Sequence, residues 1–328
     1  MQTNTDIHKE LFTLKPLFIT LSLWIIIFFA VPAANNFLPE IPRHFSYFFT
    51  SLFLVVLSLS VVAGFSKLYL HRNFYLLICA VFMAMNFAAA KPLILRTNTI
   101  SDCSKIPGAV ILLTLAQTNE PAFHSAQTIE LCNHIFFAVE NFLTENFPEK
   151  AAGILLLSIS QLGIAAGLGL WIGNGVDKAG HLIPVALVAA LADAWSVSAG
   201  ATSLIIRSSV IHHFLLRFPL IGKVPTEIPF LIGMADFLFF GLFYRASERF
   251  SLGLRKNTLL MGISFVFAIG TAIFFKVGIP VLPFMSVLFI AANWKHITLT
   301  KEETTQLGIF LLIAAAAAAA FTFFLHPQ

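Results

Sequence analysis

The stretch HLIPVALVAALADAWSVSAGATSLII, residues 181–206, decides the fold. It holds a single acidic side chain, Asp193, in a run longer than the ~20 mostly apolar residues that cross a bilayer as a helix. A helix apolar on every side does not face water, so the run reads as a membrane span. The next apolar run, TEIPFLIGMADFLFFGLFY over 226–244, repeats the pattern: Glu227 sits at its start, while Asp236 lies deep inside. At about 1.5 Å of rise per residue, both aspartates fall near the mid-depth of their runs.

The whole chain supports the same reading. Of 328 residues, 58% are apolar and 11% charged, and 36 are phenylalanines; the mean hydropathy is +0.87. A soluble domain carries about 25% charged residues. This chain cannot cover a globule with polar side chains, so most of its surface faces lipid, and the phenylalanines suit a lipid-facing shell. The net charge of +4 reports basic loops lying against anionic headgroups of the lipid bilayer. No basic patch interleaved with aromatics points to nucleic acid.

Apolar runs at 17–34, 46–65, 74–90, 151–172, 181–206, 226–244, 258–275, 278–293 and 306–325 qualify as spans. The first reads as a retained span rather than a cleaved signal sequence. The run 278–293 begins with prolines and reads as a helix with a broken start. The expected fold is all-α, a polytopic transmembrane bundle of about nine spans. It forms one integrated membrane domain: residues 1–150 supply N-terminal spans and a polar region at 91–150, and residues 151–328 supply the spans that carry both aspartates. Two weaker apolar pieces, 106–116 and 135–143, lie in the polar region. The basic loops 207–223 and 245–256 flank one span, so the positive-inside rule sets no orientation. Cys79 reads as a packing residue. Cys103 and Cys132 share the polar region and form a disulfide if that region is extracytoplasmic. No cysteine or histidine spacing implies a metal site, and no cofactor motif is present.

A carboxylate at mid-bilayer costs roughly 2.5 to 3.5 kcal/mol. Two such acids on consecutive, tightly linked spans are expected to face each other. In low dielectric the pair holds one proton between them. The ionised member then takes a proton from water, while the neutral member hydrogen-bonds a substrate carbonyl. A proton-coupled transporter uses the same state, so depth and pairing leave both chemistries open.

The residues around the two acids carry a family resemblance. Ala192-Asp193-Ala194-Trp195-Ser196-Val197 resembles the first aspartate motif of the presenilin and signal peptide peptidase family, which in archaeal-type members reads Tyr-Asp-Ala-x-Ser-Val. The stretch ending Gly233-Met234-Ala235-Asp236 resembles the second motif, Gly-x-Gly-Asp, and Ile279-Pro280-Val281-Leu282-Pro283 resembles the Leu-Pro-Ala-Leu-Pro motif that follows. All three occur in the family's order, over roughly residues 183–293. The resemblance implies an intramembrane aspartic endopeptidase of a prokaryotic plasma membrane. Asp193 and Asp236 would be its catalytic dyad. Gly233, Ala235, Pro280, Val281, Leu282 and Pro283 would shape the site, and transmembrane helices of other proteins would be its substrates, with no metal or organic cofactor. The chain departs from the motifs at Ala192, Ala235 and Val281, where the family has Tyr, Gly and Ala.

Three alternatives stay open: a proton- or sodium-coupled transporter, a catalytically inactive scaffold, and a prepilin-peptidase type of aspartyl protease. The last usually has a basic residue soon after its Gly-x-Gly-Asp, where Phe237-Leu238 stand here. The transporter class often shows paired inverted repeats, and none stands out. Among other residues, His212-His213 read as a solvated or interfacial pair and Asn86 as an interhelical hydrogen bond. Trp24, Trp171 and Trp294 read as interface anchors or packing. The run Ala314–Ala320 reads as a smooth face for helix packing.

Overall fold

The computed structural model describes residues 4–34, 43–68, 70–103, 148–198, 211–217, 231–275, 279–297 and 299–325. Its helices are α1 (Asn4–Ala34), α2 (Arg43–Ser66), α3 (Arg72–Cys103), α4 (Pro148–Gly175), α5 (Leu182–Ser198), α6 (Met234–Arg249), α7 (Leu254–Phe274), α8 (Val281–Asn293) and α9 (Lys301–Leu325). Four of them contain stretches long and apolar enough to cross a membrane: Phe45–Ser66, Arg72–Ala90, Gly153–Gly175 and Leu254–Phe274. Shorter apolar helices cover Lys15–Val31, Ala179–Ala194 and Val281–Asn293. The fold is mostly helical rather than all-α. A helical turn at Ile211–Phe214 leads into β1 (Leu215–Arg217), which pairs antiparallel with β2 (Leu231–Gly233), with Leu215 opposite Gly233. Residue 132 and the pieces 106–116 and 135–143 fall outside the described residues, and with them the Cys103–Cys132 pairing.

The connections α2–α3, α4–α5, α6–α7 and α8–α9 are short and lie at one end of the bundle, where polar side chains tie the helices together. Glu248 Oε2 accepts from Ser66 Oγ at 2.9 Å and from Arg245 at 2.6 Å, and Arg245 Nε donates to Asn174 Oδ1 at 2.7 Å. Beside them Asn257 Nδ2 donates to Ser247 Oγ at 2.9 Å, and Asn293 Nδ2 to Asn257 Oδ1 at 2.9 Å, joining α6, α7 and α8. Arg72 stacks over Trp171, 4.9 Å from its ring centre. In lipid, expelling water does not drive helices together, so such ties and close packing must hold them, at about 0.6 kcal/mol per hydrogen bond.

Close packing centres on α4, which lies against α1, α2, α3 and α6. A methyl at Gly163 would strike the Phe82 ring, and one at Gly167 would lie 2.9 Å from the Tyr75 carbonyl of α3. A methyl at Gly169 would collide with the Leu238 carbonyl of α6, and one at Gly173 would lie 2.9 Å from the Leu242 carbonyl. Two glycine pairs, each one turn apart, let α4 approach α3 on one side and α6 on the other. Cys79, on the α3 side of this contact, is buried, as expected. Trp24 is fully buried and donates to Ser58 Oγ at 3.1 Å, while Trp294 is exposed. The phenylalanines divide. Phe18, Phe45, Phe49 and Phe74 lie on the outer surface, but Phe237 stacks on Phe265 at 5.4 Å and Phe243 on Phe289 at 4.4 Å in the core. Each such stack contributes about 0.5–1.5 kcal/mol beyond its area.

A reciprocal cap starts α9. Thr300 Oγ1 accepts from the Glu303 N–H at 3.2 Å, and Glu303 Oε2 accepts from the Thr300 N–H at 2.8 Å. Glu303 also meets Lys178 Nζ at 3.2 Å, ahead of α5. The Thr300 backbone N–H first, and then Lys178, hold the Glu303 carboxyl down at about 2. A depressed carboxyl stabilises the fold above its unfolded value, about 4.3, and loses that contribution as pH falls toward its folded value. The protection of the 300–304 amides, their exchange taken relative to an unfolded chain at the same pH, is therefore expected to hold at pH 5 and to fall between about 4 and 2. Unchanged protection across that range would show that the cap does not form.

Candidate functional site

The depths of the functional residues follow from helix geometry. From the short-loop end, Leu182 to Asp193 is about 17 Å of α5, Arg249 to Asp236 about 20 Å of α6, and Asn293 to Leu282 about 17 Å of α8. All three therefore lie in one layer, about 17–20 Å from the short-loop end.

Asp193 Oδ2 accepts a hydrogen bond from the Leu282 N–H at 3.3 Å. Leu282 is the second residue of α8, whose first turn leaves backbone N–H groups without helical partners. Pro280 precedes the helix with φ −64° and ψ 135°, an extended residue that starts α8 at this depth. Pro283 supplies no N–H of its own, which leaves the Leu282 donor prominent. Asp193 thus caps α8 from α5, with the helix dipole favouring its carboxylate. Val281 and Leu282 are buried; Pro280 and Pro283 are half-buried.

Asp236 is the third residue of α6, not the middle of a span. Gly233, also extended at φ −64° and ψ 135°, ends β2 and starts the helix. The Asp236 carboxylate folds back toward the Gly233 backbone, the reach of a third-position acid back to the residue before its helix. A side chain at Gly233 would lie 3.3 Å from Asp236 Oδ2, so glycine leaves the carboxylate room to fold back. Ala235 and Ala192 are exposed. The carboxyls of Asp193 and Asp236 lie within electrostatic reach of each other, and both are half-buried.

The route by which the two acids meet differs from the expectation. Among the described residues, α5 and α6 share no extended interface; α5 packs on α8, and α8 on α6 and α7. The helix that starts at Pro280 is the bridge between the acids. Two helix N-termini, those of α6 and α8, begin at the level of the acid pair; that of α8 donates the Leu282 N–H to Asp193, and Asp236 folds back toward that of α6. The run 226–244 reads as one span because LIG is apolar in strand and helix alike, and composition does not mark the switch at Gly233.

Of the two histidines, His213 is not a solvated side chain. His213 is half-buried against α3, with its Nδ1 2.7 Å from Asn86 Oδ1 and its ring 5.0 Å from that of Phe87. Asn86 does make the expected interhelical bond, its Nδ2 donating to Ser160 Oγ of α4 at 3.2 Å. Among the described residues no group of three or more His, Cys, Asp and Glu side chains is arranged to hold a metal. Comparison with known protein families, curated proteins and solved structures finds no match to this chain.

Proposed function

We propose that this chain is a multi-pass intramembrane aspartyl protease of about nine spans, similar to the presenilin and signal peptide peptidase family, that cleaves transmembrane helices of other membrane proteins. The observation that carries the reading is the hydrogen bond from Leu282 to Asp193 beside Asp236. It joins residues from three separate motifs, two acids and a proline-bounded turn, in one layer of the bilayer. One carboxyl of the pair takes a proton from water as the water oxygen bonds to the scissile carbonyl carbon. The other, protonated, donates to the carbonyl oxygen; as the C–N bond breaks, the first gives its proton to the leaving amine and the second takes one back from the hydroxyl of the tetrahedral intermediate. Backbone in a helix shields its peptide bonds, so the substrate must be extended at the site, and the backbone ahead of α6 and α8 is itself extended. No cofactor enters this chemistry.

Coupled transport is the second reading, favoured by the two helix N-termini that begin at the acid pair, an arrangement that transporters also use. Reconstitution with a single-span reporter separates the two. Cleavage by the wild-type chain that Asp236→Asn abolishes is the expected result. No cleavage, together with proton flux into vesicles that Asp236→Asn removes, would replace the protease by the transporter.

A further inference from the structure

We infer that His213 is a positioning residue for Asp236, acting through the strand pair; the inference rests on the reading of Asp236 as a functional acid. Its hydrogen bonds run in one direction. Ser160 Oγ donates to the Leu157 carbonyl at 2.7 Å and accepts from Asn86 Nδ2 at 3.2 Å. With its amide nitrogen committed there, Asn86 presents its oxygen to His213, which donates from Nδ1 at 2.7 Å. Arg72 to Asn86 is about 21 Å of α3, and Gly175 to Ser160 about 23 Å of α4, both from the short-loop end. His213 is therefore anchored in the same layer as the acids, where an ionisable side chain marks function more often than packing.

From His213 the chain runs directly into β1. Leu215 lies opposite Gly233 in the ladder. Leu216 and Ile232, the next pair, are both buried, and β1 also packs on α4. Gly233 closes the sequence of contacts: Asp236 Oδ2 folds back beside it, 3.3 Å from where a side chain on Gly233 would begin. A side chain fixed on α3 and α4 thus sets β1, β1 sets β2, and β2 sets the Gly233 backbone against which the Asp236 carboxylate folds. In a strand pair only three residues long on each side, the His213–Asn86 bond is the polar tie that adds to the apolar packing of β1 on α4.

The test uses the full-length chain in lipid nanodiscs. Its first readout needs no activity: cysteines at Leu216 and Ile232, with the three native cysteines replaced by alanine, are oxidised to a cross-link. The cross-link is expected to form readily with His213 present and about tenfold less in His213→Ala and Asn86→Leu. The second readout is reporter cleavage. In His213→Ala kcat is expected to fall about tenfold while KM stays within about twofold. His213→Asn, whose amide nitrogen reaches the place of Nδ1, restores both readouts, and the double substitution with Asn86→Leu is no worse than either single one. Cross-linking that is absent with His213 present, or unchanged in His213→Ala, overturns the inference, as does a loss of cleavage that His213→Asn fails to restore. If the wild-type chain cleaves nothing, the protease reading fails alone, and the cross-link still decides whether His213 holds the strands.

Discussion

Asp193→Asn is expected to lower reporter cleavage by about 10⁴-fold, the scale on which single catalytic residues act, while leaving the melting temperature close to that of the wild-type chain. The separation follows from the two tasks of this carboxylate. Asparagine keeps a side-chain oxygen that accepts from the Leu282 N–H, so the start of α8 stays capped. It can neither take a proton from water nor share one with Asp236. Asp193→Ala loses both tasks. It leaves the buried Leu282 donor without its partner, which costs about 1–3 kcal/mol, and it releases α8 from α5. Cleavage is then lost together with stability. Parallel measurements of cleavage rate and thermal unfolding check this. Cleavage by Asp193→Asn within tenfold of wild type would remove Asp193 from the chemistry. A wild-type melting temperature in Asp193→Ala would show that the carboxylate does not hold α8.

How much of this was readable beforehand depends on how costly each feature is in lipid. Asp193 and Asp236 stand out because charge at mid-bilayer is expensive and the rest of the chain avoids it. The prolines at 280 and 283 mark the broken start of α8 because they remove donors the helix needs. The partner of Asp193 was not readable, because the donor is a backbone N–H, and every residue but proline has one. Nor was the strand pair: apolar residues fill strands and spans equally when both faces are covered. The place of His213 is not legible because nothing beside it in sequence marks its partner: Asn86, which holds it, lies far away on α3. The phenylalanines illustrate the same limit. Lipid and core are both apolar, so composition does not tell Phe74 on the surface from Phe237 in the interior.

The glycines of α4 carry a pattern that the sequence shows. Gly163 and Gly167, like Gly169 and Gly173, are spaced four apart, the pattern of helices that touch at the backbone. They yield a prediction in which one substitution changes sign with position. Gly262, within α7, has open space where a Cβ would go. Gly262→Ala there is expected to raise stability by up to about 1 kcal/mol, the usual gain from replacing glycine inside a helix. Gly169→Ala makes the same gain but drives its methyl into the Leu238 carbonyl, a backbone atom that cannot swing aside. Overpacking of this kind costs about 1–3 kcal/mol, so the net effect is destabilising. The damage also reaches the site. Leu238 and Asp236 belong to adjacent turns of α6, and pushing that helix away from α4 moves Asp236 relative to Asp193, which is held from the far side by α8. Misplacing a catalytic group by about 1 Å costs on the order of 10²-fold in rate. Gly169→Ala should therefore lose cleavage far beyond its loss of stability, and Gly262→Ala should keep both. Equal melting temperatures for the two variants would mean that α4 and α6 do not meet at Gly169, and with that contact would go the geometry that brings Asp236 to its partner.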